Sequence, residues 1–380
     1  MLFLAWVLGE YGALLRVPKI VTYGIVGLFC GPLVAQHNAS FLAALLLLAD
    51  AALGLLLTEL GFRFNPQWFY YQPRVLLISL AEAFGCFFVV YLFCTFGIGL
   101  QSGGAATIAS LSMATSPAAI LLVARQEQSS GPLTNMVINL SAANCILSVV
   151  TYHVVTGLIL RGGGAETSNY YAGMNFAAMA VSVLVGSAVA ILVKWGLYPL
   201  KLTGEARAFA IAISSISVSM FLHELRFSPI VGALSVGITM RSIGLKMTGI
   251  HQDFGSLGRL LTLFLFLFLS TQLQWDSIWE GFSVGFAILA LRSMMKWGVL
   301  RTLGPTCQLT STQAWYTGLA MMPASSFTAC LLEQSRTMGM DLLKGFNPII
   351  SFIFIAEIFG PIATAIGVVY AKESFEDSQS

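Results

Sequence analysis

The stretch Ala114-Thr115-Ser116-Pro117-Ala118-Ala119-Ile120 places a proline in the middle of an apolar run over residues 104–125. A second stretch, Pro323-Ala324-Ser325-Ser326, interrupts the apolar run over residues 312–332 in the same way. Proline has no backbone N–H and its ring clashes with the preceding turn, so a helix is expected to unwind at each site. The sequence therefore predicts two broken helices, one in each half of the chain.

The composition is that of an integral membrane protein. Of the 380 residues, 57% are hydrophobic and 9% are charged, and the mean hydropathy is +0.82. Soluble domains carry about 25% charged residues. The net charge of +2 is too small to suggest a nucleic-acid partner. The six cysteines form no CxxC motif or Cys/His cluster, and no Ser-His-Asp constellation is evident, so we expect no resident metal, no cofactor and no enzymatic activity.

About thirteen apolar segments follow one another along the chain, and they predict an all-α protein that crosses the lipid bilayer repeatedly. If the N-terminus lies outside, most Lys and Arg residues of the loops fall on the cytoplasmic side, which predicts an outside N-terminus and a cytoplasmic C-terminus. The segments cover residues 2–15, 18–34, 41–62, 75–99, 104–124, 132–160, 173–196, 206–223, 228–240, 257–272, 280–300, 312–332 and 348–371.

An internal repeat relates the two halves of the chain. Ile20-Val21 followed by Val26-Gly27 recurs as Ile230-Val231 followed by Val236-Gly237, and the prolines of the two breaks have nearly the same spacing. The two copies are seven segments apart, which is an odd number, so they would face opposite ways in the membrane. A matched pair of broken spans in such a repeat indicates the substrate site of a secondary transporter. The predicted division is 1–172 for the first repeat, 173–205 for a linker helix and loop, 206–371 for the inverted repeat and 372–380 for a cytoplasmic tail.

Five motifs in this order resemble the monovalent cation:proton antiporter-2 family, within the sodium/proton exchanger superfamily. The similarity runs over residues 10–370 and includes the family's opening helix, both broken helices, the start of its second repeat and its Phe-rich span. The motifs are Val17-Pro18-Lys19-Ile20-Val21-Thr22-Tyr23-Gly24 through Gly31-Pro32, Ala114 through Ile120, Ser228-Pro229-Ile230-Val231-Gly232-Ala233 through Gly237, residues 264–274, and Gly318 through Phe327.

The resemblance implies a sodium/proton antiporter-like fold, in which the two broken helices cross, and a homodimer in the plasma (inner) membrane. Each protomer would exchange a monovalent cation, Na⁺ or K⁺, for protons. An ion-carrying bundle would move against a dimer bundle in an elevator form of alternating access. The ion-carrying bundle would hold the segments at 75–99, 104–124, 132–160, 280–300, 312–332 and 348–371.

The chain departs from the family at its central acid. Family members carry an essential aspartate in the span after the first broken helix, and Asn144-Cys145 occupies that position here. A thiol is a poor ligand for a hard cation. The chain is therefore a divergent member, and three functions stay open. They are cation:proton exchange, transport of an anion or organic solute by the same fold, and a non-transporting membrane subunit or sensor that works with a partner protein.

The candidate site residues lie at the breaks and on the spans that the resemblance places beside them. Hydroxyls at the breaks could bind an ion or cap the half-helix ends. Lys296 and Arg292 share one helical face and either serve the site or form structural pairs. Glu82 and Glu357 are possible proton sites or counter-ions to Lys296, Arg292 is a possible second cation, and no metal is expected beyond the transported ion. The predicted ion- or substrate-binding residues are Thr115, Ser116, Asn144, Cys145, Lys296, Ser325 and Ser326.

Overall fold

In a computed structural model of the chain, the described residues form helices joined by short turns. One isolated bridge between Thr115 and Ala324 is the only extended pairing among them. The structure describes residues 1–14, 17, 19–35, 39–64, 66–162, 166–197, 204–225, 227–245, 255–271, 275–307, 309–324, 328, 331 and 348–371.

Most helices correspond to the predicted apolar segments. A π-helical turn at Phe93–Gly97 extends the fifth helix. They are α1 (Leu2–Leu14), α2 (Lys19–Ala35), α3 (Ala39–Arg63), α4 (Pro66–Tyr71), α5 (Pro73–Leu92), α6 (Ser102–Ser112), α7 (Pro117–Gln126), α8 (Pro132–Gly162), α9 (Glu166–Leu197), α10 (Gly204–Glu224), α11 (Pro229–Ser242), α12 (Gly255–Thr271), α13 (Trp275–Leu303), α14 (Ser311–Ala320) and α15 (Pro348–Tyr370).

Serine-proline pairs define where two of these helices begin. Ser116 precedes α7 and its Oγ accepts a hydrogen bond from the Ala119 N–H at 3.3 Å. Ser228 precedes α11 and accepts from the Val231 N–H at 3.4 Å. The serine satisfies an N–H that has no partner within the helix, and the following proline has no N–H to satisfy. A Ser-Pro pair therefore starts a helix at these positions as well as ending the preceding one.

The helices pack as two groups. The first, called the core group below, comprises α5–α8 and α13–α15, and α13 packs against α5, α14 and α15 within it. The second, called the flanking group, comprises α1–α3 and α9–α12, and in it α11 packs on α3 and α9 while α12 packs on α2. The two broken helices lie in the core group, as the resemblance implies.

Glycines allow close helix contacts in the flanking group. A Cβ on Gly237 of α11 would lie 2.1 Å from the Thr58 carbonyl oxygen of α3. A Cβ on Gly27 of α2 would lie 2.4 Å from the Leu267 carbonyl oxygen of α12. No side chain fits in either place without movement of a backbone. These two glycines are the ones that the internal repeat pairs, so the same sequence feature has the same packing role in both halves.

The predicted fold class is confirmed: the described residues form an all-α protein with apolar helices and crossing broken helices. Among those residues, six helices are long and apolar enough to cross a membrane. Two helices begin earlier than predicted, α9 at Glu166 and α13 at Trp275. Both extensions contain polar residues, which a search for apolar runs leaves out.

Candidate functional site

The two breaks meet each other at the centre of the core group. Helix α6 ends at Ser112, and α7 begins at Pro117. Helix α14 ends at Ala320, and the chain then continues in a non-helical conformation to Ala324. The Ser116 N–H donates to the Pro323 carbonyl oxygen at 3.0 Å, beside the bridge between Thr115 and Ala324. The unwound segments therefore satisfy part of each other's backbone, as buried polar groups require.

Arg292 of α13 binds the carbonyl ends of both half-helices. Its side chain is fully buried. On the α6 side, Nε donates to the Ser112 carbonyl oxygen at 2.7 Å and Nη2 to that of Ala114 at 2.8 Å. On the α14 side, Nη1 donates to the carbonyl oxygen of Met322 at 2.6 Å and Nη2 to that of Pro323 at 3.2 Å. Each helix C-terminus carries a partial negative charge of about −0.5, so the guanidinium lies where the two half-helices attract a cation.

Two thiols also donate hydrogen bonds to carbonyl oxygens at the first break. Cys145 Sγ donates to the Thr115 carbonyl oxygen at 3.0 Å. Cys86 Sγ donates to the Ser112 carbonyl oxygen at 3.3 Å. Both side chains are buried. A thiol can donate such a hydrogen bond, whereas an ionised carboxylate at the same position has no proton to donate to a carbonyl.

Lys296 and Glu82 form a buried ion pair next to the first break. Lys296 Nζ donates to Glu82 Oε1 at 2.6 Å and to the Met113 carbonyl oxygen at 3.3 Å. Both charged side chains are fully buried. Asn144 Nδ2 donates to the same Glu82 oxygen and to Thr115 Oγ1, the latter at 3.3 Å. The pair therefore links α13, α5 and α8 at the crossing of the broken helices.

Both buried cations of the site have a negative partner. Lys296 is paired with the Glu82 carboxylate, and Arg292 is paired with carbonyl oxygens at two helix C-termini. An isolated charge inside a membrane is costly, and the pairing removes most of that cost.

The structure brings most of the sequence-predicted site residues together, although their role in binding remains a prediction. Glu357 is separate: on α15 it is half-buried and accepts a hydrogen bond from Ser270 Oγ of α12 at 3.3 Å. Ser325 and Ser326 lie outside the described residues. The residues that meet at the crossing are Thr115, Ser116, Asn144, Cys145, Glu82, Arg292 and Lys296.

Sequence reasoning did not find two of the contacts at this site. Cys86 lies one turn after Glu82 on α5, and only the position of Ser112 reveals its hydrogen bond. Thr364 of α15 donates to the Ala320 carbonyl oxygen at 3.0 Å and so pairs one carbonyl at the end of α14. Within the described residues, no group of three or more His, Cys, Asp or Glu side chains could hold a metal ion.

Comparison with known proteins places the chain in a family. The model of the family described as "Sodium/hydrogen exchanger, transmembrane" matches residues 1–368. The structure is similar to that of the sodium proton antiporter MjNhaP1 from Methanocaldococcus jannaschii at pH 8, with a TM-score of 0.64, 17% sequence identity and coverage of 99% of this chain and 95% of that chain. An electron-microscopy structure of the same antiporter gives a TM-score of 0.65 at 16% identity, covering 98% of this chain and 96% of the other. No curated protein matches the chain. Since the family model matches nearly its whole length, the chain belongs to the sodium/hydrogen exchanger family.

Proposed function

We propose that the chain is a secondary active transporter of the cation:proton antiporter-2 type, which exchanges Na⁺ or K⁺ for protons. Membership of the sodium/hydrogen exchanger family supports the reaction, and so does the fold shared with a sodium proton antiporter. The observation that carries the proposal is the buried ion pair between Lys296 and Glu82 at the crossing. It offers a titratable amine and a carboxylate beside Asn144, next to the position that the resemblance gives to the family's aspartate.

In the proposed cycle, Lys296 loses a proton when a cation reaches the Glu82 carboxylate. The cation then holds the charge that the ammonium held, and the reverse step returns the proton on the other side of the membrane. Competition between a proton and a cation for one buried site is what couples the two fluxes. The core group would carry the site in an elevator movement against the flanking group, and the flanking group would form the contact of a homodimer.

The repeat division and the orientation are part of the same proposal. The glycine contacts at Gly27 and Gly237 support two repeats at 1–172 and 206–371, with 173–205 as the linker. The distribution of Lys and Arg supports an N-terminus outside the cell and a C-terminus inside, in the plasma membrane. A separate regulatory subunit is compatible with this arrangement and would be detected by copurification.

The charge pairing at the site disfavours the alternative of an anion or anionic solute. Such a ligand would need an unpaired cation, and both Lys296 and Arg292 are engaged. The N-terminus of α7, which could attract an anion, is capped by Ser116. Inhibition of binding by anions in a competition assay would support this alternative over cation exchange. A stable copurifying partner, together with no flux under any ion gradient, would support a non-transporting subunit instead.

The proposal predicts that Lys296→Ala abolishes cation-dependent proton flux, whereas Cys145→Ala keeps it. Purified protein is reconstituted in proteoliposomes, and internal pH is followed with a dye during titration with Na⁺, K⁺ and Li⁺. Removing one member of a buried ion pair costs about 3–5 kcal/mol of stability, so Lys296→Ala could lose activity through unfolding.

A neutral double variant separates these two causes. Lys296→Met with Glu82→Gln removes both charges, and neutral replacement of a buried pair usually preserves the fold. We expect this variant to elute as the wild type does in size-exclusion chromatography and to show no exchange. Wild-type flux in Lys296→Ala or in the double variant would refute the role of the pair.

A further inference from the structure

Three buried oxygens have no hydrogen-bond partner in the described part of the chain, two of them at the Lys296–Glu82 pair and one about a helical turn away on α5. They are Glu82 Oε2, Asn144 Oδ1 and Ser79 Oγ. Glu82 and Asn144 are fully buried and Ser79 is 1% exposed. Buried polar atoms in native proteins almost always have a partner, so each exception calls for a bound water or ion. Other such atoms occur among the described residues, but the side chains of Glu82 and Asn144 are in direct contact with each other.

The positions of these atoms support a common site. Asn144 Nδ2 contacts Glu82 Oε1, so the second oxygens of the two side chains belong to neighbouring groups on α8 and α5. Ser79 precedes Glu82 by three residues on α5, and residues at this spacing share one helical face. The candidate site therefore combines a carboxylate oxygen of Glu82 and an amide oxygen of Asn144, whose side chains are hydrogen-bonded to each other through their other polar atoms. The Ser79 hydroxyl lies about one helical turn away on α5.

Other oxygens at the crossing already accept hydrogen bonds. The carbonyls of Ser112 and Ala114 accept from Arg292, and that of Thr115 accepts from Cys145. Thr115 Oγ1 accepts from Arg292 and Asn144. An ion that used these oxygens would share each of them with a guanidinium, an amide or a thiol. The partnerless oxygens are not shared with a hydrogen-bond donor in the described part of the chain.

We propose that Glu82 Oε2 and Asn144 Oδ1 are ligands of a dehydrated monovalent cation, with Ser79 Oγ as a third ligand. The inference rests on the proposed function and names the ligands that replace the missing aspartate. All three donors are oxygens, which suit hard cations and disfavour soft ones. The ligand set contains a single carboxylate, which balances a single positive charge.

The charge count also fixes the exchange ratio. Before exchange, the Lys296 ammonium and the Glu82 carboxylate cancel. When the cation binds, the ammonium gives up one proton to water on the open side and becomes a neutral amine, while Glu82 stays ionised and the cation cancels its charge. One cation therefore replaces one proton, and the transport cycle moves no net charge. A divalent cation would leave an uncompensated positive charge in the membrane interior, which is costly.

The first test measures cation binding by wild type and variants. Na⁺ is titrated against the detergent-solubilised protein, and the rise in thermal unfolding temperature reports binding. We expect Asn144→Ala to raise the half-saturating Na⁺ concentration about tenfold or more. A tenfold rise corresponds to about 1.4 kcal/mol of binding free energy lost with the ligand. Asn139→Ala is the matched control, because that side chain lies on the same helix and bonds to its own backbone at Asn135. An equal Na⁺ response in Asn144→Ala and Asn139→Ala would overturn the assignment.

Asn144→Asp separates a ligand from a positioning residue. The substitution keeps an oxygen in the position of Oδ1 and removes the amide donor. If Oδ1 is a ligand, Asn144→Asp binds Na⁺ at least as well as the wild type, whereas Asn144→Ala does not. If both variants lose binding equally, only the amide donor matters and the ligand assignment is wrong.

The second test measures charge movement in the proteoliposomes used for transport. With one-for-one exchange, Na⁺-driven flux in K⁺-free proteoliposomes is the same whether the membrane potential is clamped at zero or imposed with either sign by a gradient of a permeant anion. A flux that changes with potential would overturn the ratio. The proposed function has a separate test, because it requires cation-dependent proton flux in the wild type and is refuted if there is none. If the wild type exchanges ions and Asn144→Ala has the same Na⁺ dependence as the wild type, the proposed function stands and only the assignment of the ligands is refuted.

Discussion

Arg292 donates hydrogen bonds to carbonyls at the ends of two half-helices that lie far apart in the sequence. A lysine has three donors on one atom and cannot span the same set, whereas the planar guanidinium presents five donors in a fork. These hydrogen bonds indicate a structural role for Arg292 at the crossing. The guanidinium is not an unpaired cation. Lys296, one turn later on α13, has a carboxylate partner, and in the proposed cycle it is the cation of the two that exchanges its proton.

The structural role of Arg292 predicts a large loss of stability when it is removed. Arg292→Met leaves carbonyls of both half-helices buried without partners, and each such group costs about 1–3 kcal/mol. We expect a strongly lowered unfolding temperature in detergent, with Arg292→Lys intermediate. Arg301→Met is the control on the same helix, because Arg301 is exposed and lies over the Trp315 ring. Equal unfolding temperatures for Arg292→Met and Arg301→Met would contradict the role.

Residue type identified many of the side chains at this site, but not what each one does. Lys296, Asn144 and Glu82 are unusual in apolar spans, so the sequence indicates them directly. The roles of Cys145 and Arg292 depend on carbonyls that become free only where the chain unwinds and crosses a distant segment. That geometry is long-range, and no local pattern around Cys145 encodes the donor bond to Thr115.

At the scale of elements, the breaks were predictable because their cause is local. Pro117 and Pro323 lack the N–H that a continuous helix needs, and the Ser-Pro pair at 116–117 also supplies the cap for α7. Helix ends were less predictable where polar residues extend a helix beyond its apolar part, as at Glu166. The contact between the two breaks was expected only from the family resemblance, since it joins residues about 200 positions apart.

Helix packing in the flanking group predicts sensitivity at the repeat-related glycines. In Gly237→Ala the new methyl group would meet the Thr58 carbonyl oxygen at 2.1 Å and the Phe62 nitrogen at 2.6 Å, so α3 and α11 must separate. Overpacking of this kind costs about 1–3 kcal/mol. We expect a lowered unfolding temperature for Gly237→Ala and for Gly27→Ala.

Gly196→Ala on α9 is the matched control, because no atom lies within 4 Å of its added Cβ. Alanine is the better helix former, so this control is expected to be unchanged or slightly more stable. A Gly237→Ala protein as stable as Gly196→Ala would show that the two helices adjust without cost.

On the scale of the whole molecule, polar contacts cross between the core group and the flanking group. Arg125 Nη2 of α7 lies 3.7 Å from Glu59 Oε1 of α3. Ser270 of α12 donates to Glu357 of α15. Both contacts join a helix that the proposed elevator moves to a helix that it leaves in place. They would therefore have to break and form again in each transport cycle.

An elevator movement predicts that weakening such a contact changes the rate of transport without changing ion binding. The Arg125–Glu59 pair stabilises the state described here, and partly exposed ion pairs contribute up to about 1 kcal/mol. We expect Arg125→Ala to leave this state faster and to raise the exchange rate about two- to fivefold, with the half-saturating Na⁺ concentration unchanged. Glu59→Gln should do the same, and the double variant should be no faster than either single one, since the interaction can be lost only once.

Arg241→Ala is the control within the flanking group, where Arg241 lies over the Phe62 ring and no relative movement is proposed. Stopped-flow measurement of internal pH in proteoliposomes gives the rates, and additive effects of Arg125→Ala and Glu59→Gln would show that the pair is not broken in the rate-limiting step.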